Sequence, residues 1–187
     1  MSDRLQSLER HIAEIMRGNV PVAARADGAN VVTAEMTPVG RAMRVVLSEL
    51  RKDVPYDSCS VQELRDSKLV IVGGVGFDDL DVILGESFEV GNVDIPNGEV
   101  IHRRRALIVG DTEQYRAFRR GLHVGVGIRS WLGVPMLDGG RCNGMLALDK
   151  AEADFYTSTH AEVATAYASL VARAINESAA SDEESYA

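Results

Sequence analysis

Apolar residues recur along this chain with two different periods, and the places where one period gives way to the other divide it into elements. Between residues 3 and 17, Leu5, Leu8, Ile12 and Ile15 follow one another at spacings of three, four and three, the seam of an amphipathic helix. At about two heptads this seam is too short for an isolated coiled coil, so it packs either on its own domain or on a second copy. Residues 18–36 are rich in Gly, Ala, Asn and Val without a helical period and read as a linker, with an extended piece at 30–33. Thr37-Pro38 is a helix start, a capping hydroxyl followed by proline at the first helical position. The face of that helix is Val39, Ala42, Met43, Val46, Leu47 and Leu50, and Asp53-Val54-Pro55 stops it.

The period then changes. Residues 58–64 and 68–72 read as two strands joined by the polar turn Arg65-Asp66-Ser67, and the glycine cluster at 73–77 reads as a strand exit. That cluster lacks the lysine and hydroxyl of a phosphate-cradling GxxxxGK[ST] loop. Residues 78–93 suggest a loop with short helical or extended pieces, 97–104 a short helix, 106–109 a strand, and 112–120 another helix carrying Tyr115 and Phe118. A glycine-rich loop at 121–127, containing His123, leads into the most structured stretch. There the apolar runs 131–137 and 145–148 flank Asp138-Gly139-Gly140-Arg141, a strand, a tight turn and a second strand. Both faces of the first run carry apolar residues, so this hairpin belongs at the centre of a sheet covered on both sides. Thr157 or Thr159 caps a last helix whose face is Val163, Ala166, Tyr167, Leu170, Ala174 and Ile175.

Consecutive hairpins imply an antiparallel sheet, and amphipathic helices around it imply a layered α/β (α+β) domain. Its parts are an N-terminal helix and linker at 1–37, one domain at 38–178, and an acidic tail at 179–187 expected to be disordered.

Composition narrows the function more by exclusion than by pointing. The chain has 187 residues with 45% hydrophobic and 26% charged residues, the balance of a soluble globular domain. A formal net charge of −8 argues against nucleic acid as partner, and the basic run His102-Arg103-Arg104-Arg105 suits a helix C-terminus instead. No apolar run reaches membrane-span length, and two cysteines without CxxC spacing suggest a reduced, cytoplasmic protein. The four histidines are scattered without metal-ligand spacing, and Asp111 and Asp149 have no His or Ser beside them in sequence for acid–base work.

Five segments in order, VPYDSCSVQEL with KLVIVGGVGF, ALIVGDTEQYRAF, IRSWLGVPML, GRCNGMLALDK and FYTSTHAEVATAYASLVARAI, resemble the GAF domain family over about residues 38–178. The resemblance implies a central antiparallel sheet of about six strands with helices on both faces and a ligand pocket under the loops and short helices. It also implies a regulatory, small-molecule-sensing role, such modules binding cyclic nucleotides, bilins, haem or other small molecules. The Asn-Lys, Phe and Asp-Glu signature of the phosphodiesterase modules is not found, and neither cysteine stands beside a histidine, as bilin attachment requires. The branch that reduces free methionine sulfoxide needs cysteines in pocket loops, whereas Cys59 and Cys142 fall in predicted strands. No enzymatic activity is therefore expected, a cysteine-dependent methionine sulfoxide reductase being the less favoured alternative.

On this reading the ligand contacts are Cys59 and Val61 on the first strand, Phe77, then Asp111, Tyr115 and Phe118, with Arg129, Ser130 and Leu132 on the central strand. An aromatic pair with a carboxylate and a hydroxyl suits a planar, hydrogen-bonding ligand such as a purine, and Arg129 suits a phosphate, which makes cAMP or cGMP the leading candidate. Tyr115 and Phe118 also fit ordinary core. Trp131 would then face away from the pocket, towards the helices at 3–17, 38–52 and 157–177. A homodimer through the N- and C-terminal helices, relaying to an output domain or partner protein, completes the expectation. The rival is a ligand-free dimerisation or interaction module.

Overall fold

The computed structural model describes residues 2–18, 37–78, 80–91, 95–118 and 127–184. The extended piece expected at 30–33, nearly all of the linker at 18–36 and of the loop at 121–127, and the last three residues lie outside the described residues. The elements run α1 (Ser2–Met16), α2 (Pro38–Asp53), β1 (Ser58–Arg65), β2 (Lys68–Val75), α3 (Leu80–Ile83), β3 (Ser87–Glu89), α4 (Pro96–Arg103), β4 (Leu107–Val109), β5 (Ser130–Asp138), β6 (Arg141–Lys150) and α5 (Ser158–Glu184).

The six strands form one antiparallel sheet in the order β3-β2-β1-β6-β5-β4. The β5–β6 hairpin turns through Gly139 and Gly140, both at positive φ, as the Asp-Gly-Gly-Arg wording requires. Glycine is needed at Gly76 as well, where φ is +86° and a Cβ would overlap the Asp57 carbonyl.

One face of the sheet is covered by α1, α2 and α5. Leu8, Ile12 and Ile15 of α1, Val46, Leu47 and Leu50 of α2, and Ala164, Tyr167 and Val171 of α5 share one core with Cys59, Val61, Leu132, Val134 and Leu148 of the sheet. The α1 seam is thus filled within the chain, and Leu5 packs at its margin. Arg4 spans Glu49 and Asp53 of α2 at 2.8 and 2.7 Å, Tyr167 donates to Asp53 at 2.5 Å, and Arg173 pairs with Glu9. The three helices are tied to one another as well as to the sheet. The opposite face carries α3 and α4, with a second core around Leu69, Val100, Val109, Trp131 and Met145. Helices lie on both faces, as expected.

Caps follow the local sequence. Thr37 Oγ1 accepts the Gly40 N–H at 3.1 Å at the start of α2. Thr157, not Thr159, caps α5, its hydroxyl accepting the His160 N–H while His160 Nδ1 accepts the Thr157 N–H. The basic run closes α4: Arg103 and Arg105 reach Glu99, Arg104 donates to the Gly140 carbonyl, and His102 Nε2 lies 2.7 Å from the Val90 carbonyl.

Three expectations are corrected. Strand β2 continues through Gly73 and Gly74 to Val75, because β1 supplies partners for all three. The helix expected at 112–120 is a chain of turns over residues 111–118. Asp111 captures the Glu113 N–H and Thr112 Oγ1 donates to the Ile128 carbonyl, side-chain bonds that compete with a helical ladder. The tail expected to be disordered from 179 is helical as far as Glu184, since no glycine or proline interrupts the run that leaves α5. No described helix is long and apolar enough to cross a membrane.

Candidate functional site

The face bearing α3 and α4 is hollow, and the strand register explains why. Directly paired residues share a face, so the sheet presents rows of side chains across its strands. One row is Gly74, Ser60, Ala147 and Gly133, four small residues in succession over β2, β1, β6 and β5. Small side chains leave a trench, and aromatic rings lie over its two ends. A methyl on Gly74 would come within 2.8 Å of the Phe77 ring. One on Gly133 would overlap Trp131 Cη2 and lie 2.8 Å from Met145 Cε. Between these rings Ser60 and Ala147 remain as open floor.

The result is a cavity of about 360 Å³ roofed by α3, β3, the start of α4 and residues 117–118. That volume is at the lower end for small-molecule sites. Its apolar walls include Ile71, Phe77, Phe88, Phe118, Ile128 and Trp131. Phe118 meets the indole edge-on, centroids 6.0 Å apart and planes at 73°, a favourable aromatic geometry.

The polar groups come from the same rows. Asn97 of α4 donates to Gln62 Oε1 at 3.1 Å, and Gln62 donates to Ser60 Oγ at 2.9 Å. A neighbouring row places Ser58, Asp149 and Trp131 side by side. Ser58 Oγ donates to Asp149 Oδ2 at 2.6 Å. Burial pushes the Asp149 carboxyl up to about 7; the Ser58 bond opposes this and the nearby Asp57 charge adds to it. Glu86 and Glu89 also line the cavity, Glu89 pairing with Lys68 at 3.1 Å. Among the described residues no Lys, Arg or His lines it.

Of the residues chosen from sequence, Phe77 and Phe118 line the cavity. Cys59, Val61 and Leu132 belong to the core beneath the helices, on the other side of the sheet, and Ser130, two residues before Leu132, shares its face and donates to the Val109 carbonyl at 3.4 Å. The expected faces are therefore reversed, and Trp131 points into the hollow. Arg129 is engaged by Asp111 in a two-point pair at 3.2 and 3.1 Å, which raises the guanidinium pKa and lowers the carboxyl. Asp111 also accepts from Glu113 N and Gln114, so the pair fastens the turns at 111–118, with Phe118 at their end, onto the start of β5. Tyr115 packs at the edge of the second core. Sequence reasoning missed Ser60, Gln62, Asn97, Trp131 and Asp149. A signal was present: Ser58, Ser60 and Gln62 alternate with Cys59 and Val61, and three polar residues on one face of a central strand mark the face that meets a polar cavity.

Neither cysteine lines the cavity. Cys59 is fully buried, its thiol held well above the usual range by burial and then by Asp149. Cys142, near the β5–β6 turn, is half-buried, and burial raises it too.

Fold and site together define a small α+β domain with a ligand-sized hollow on one sheet face. The GAF domain profile matches residues 38–175, and the chain belongs to the GAF domain family, a general fold of regulatory and sensory modules that is also found among reductases. The GAF domain of a phosphoenolpyruvate-protein phosphotransferase from Coxiella burnetii is similar in fold, with a TM-score of 0.70 and 17% identity, covering 96% of each chain. The corresponding GAF domain from Acinetobacter gives 0.68 and 15%, again over 96% of each. A free methionine-R-sulfoxide reductase from Neisseria meningitidis, solved with its substrate, gives 0.64 and 16%, covering 95% of this chain and 89% of that one. No curated protein matches the chain.

Proposed function

We propose that the chain is a non-enzymatic sensory module that holds a small planar molecule between Trp131 and Phe77. The observation carrying this reading is the trench of small residues, roofed and closed at both ends by aromatic rings, with polar groups on its floor. A purine-like ring suits those walls. The phosphate of cAMP or cGMP is less well served, since the described lining offers carboxylates and no cation. The placement of both cysteines outside the cavity supports binding over cysteine chemistry.

Occupancy of the hollow presses on β1, β5 and β6, whose other faces carry the helical core, and this is the route to an output domain or partner protein. A homodimer through the N- and C-terminal helices belongs to the same reading; it uses faces other than the Leu8, Ile12 and Ile15 seam, which is filled. Sedimentation tests it, and a monomer at micromolar concentration removes the dimer relay.

The test of the site is mass spectrometry of what the purified protein carries, followed by thermal-shift titration with adenine, guanine, cAMP, cGMP and small aromatic amides. A saturating rise in melting temperature with a planar compound supports the sensor, as linkage requires of a native-state ligand. No carried compound and no shift with any of them favours the rival, a ligand-free interaction module.

A further inference from the structure

Asp149 and Trp131 are directly opposed across β6 and β5. Their side chains therefore rise next to each other from one face of the sheet. Both are more than nine-tenths buried, at 8% and 4% exposure, and both line the cavity. The hydroxyl of Ser58 is the one side-chain hydrogen-bond partner that the described residues give the carboxylate, and no cationic side chain among them lines the cavity. An ionised carboxylate in such a place is costly unless a counter-charge reaches it. This one faces the hollow, so a counter-charge held in the cavity would reach it directly.

The indole beside it strengthens the case. An aromatic face attracts a cation electrostatically, and the attraction grows when water is excluded. Phe118 and Gly133 hold the Trp131 ring in place from two sides.

Resting on the sensory reading above, we propose that the cavity is a site for a small planar organic cation, an amidinium or protonated amino-heterocycle, whose N–H groups bond the Asp149 carboxylate while its ring lies against Trp131. The remaining titratable groups around Asp149 among the described residues do not substitute for that charge. Asp57 is itself an anion, and burial keeps the Cys59 thiol and the Tyr156 phenol neutral. A bound cation favours the ionised carboxylate, so affinity increases as pH rises through the range in which Asp149 loses its proton.

Benzamidine and benzamide test this, since they share a shape and differ in charge. Calorimetric titration of the whole chain is expected to show benzamidine bound at least about tenfold more tightly than benzamide, as a buried charge-assisted bond implies. Asp149→Asn, which keeps the side chain's shape, is expected to abolish that preference while still taking benzamide. Equal affinities, or a preference that survives in Asp149→Asn, overturn the inference and leave the sensory cavity standing. No benzamidine binding also overturns it; the cavity reading then survives only if a neutral planar compound shifts the melting temperature.

Discussion

Replacing Asp149 by asparagine is expected to stabilise the protein most above neutral pH and progressively less as pH falls through mild acid. The perturbation is small in shape, since an amide oxygen accepts the Ser58 hydroxyl bond as the carboxylate does. It is large in charge. Burial, opposed by Ser58 and reinforced by Asp57, raises the carboxyl from an ordinary 3.8 to about 7. Between those values the folded chain holds a proton that the unfolded chain has released, so stability falls as pH rises, and the loss is complete once the folded group ionises. About three units at roughly 1.4 kcal/mol each gives a penalty on the order of 4 kcal/mol at about pH 8. Asparagine carries no such penalty. Urea melts of both proteins at about pH 5 and about pH 8, compared through their midpoints and slopes, measure the difference. A stability gap that is the same at both values would refute the reasoning, because it would mean that Asp149 does not titrate as a buried, uncompensated carboxylate. The same substitution is expected to lose the cation preference, which would make Asp149 a residue kept for binding at the expense of stability.

Gly133→Ala is expected to push the indole off its seat, destabilise the protein by about 1–3 kcal/mol in chemical melts and reduce binding in the cavity, since the added methyl overlaps Trp131. Leu132→Ala, one residue earlier but on the other face, is expected to cost about 2–5 kcal/mol. Because Leu132 is fully buried under the helices, its substitution is expected to leave ligand affinity little changed at temperatures where the protein remains folded. Burial alone would raise the Asp57 carboxyl, but the Lys150 bond at 2.6 Å and the Ala151 N–H outweigh it and lower the pKa. Its contribution is present above the ordinary carboxylate range and lost as pH falls below it, so Asp57→Asn is expected to cost up to about 1 kcal/mol at neutral pH and less in acid melts.

Much of the fold was legible residue by residue. The seam at Leu8, Ile12 and Ile15, the Thr37-Pro38 start and the Asp138-Gly139-Gly140-Arg141 turn each carry a local mechanism, and each is found where its wording places it. The helix expected at 112–120 failed for an equally local reason that only the fold reveals. Thr112 finds the Ile128 carbonyl and Asp111 finds Arg129, partners sixteen and eighteen residues away that no window of sequence brings into view.

The site divides in the same way. Alternation by itself separates Cys59 and Val61 from Ser60 and Gln62 on β1, and Leu132 from Trp131 on β5; pairing of both Cys59 and Leu132 with Leu148 of β6 joins them in one set. Neither says which set meets the helices, since apolar residues occur in both. That choice depends on where α1, α2 and α5 pack, and their shared core claims the set with Leu132. The hollow itself comes from register: Gly74, Ser60, Ala147 and Gly133 are far apart in the chain and become a trench only when four strands align them. Local periodicity determined the elements and their two faces; long-range pairing decided which face is hollow and which carboxylate looks into it, because both depend on contacts between residues that are neighbours only in space.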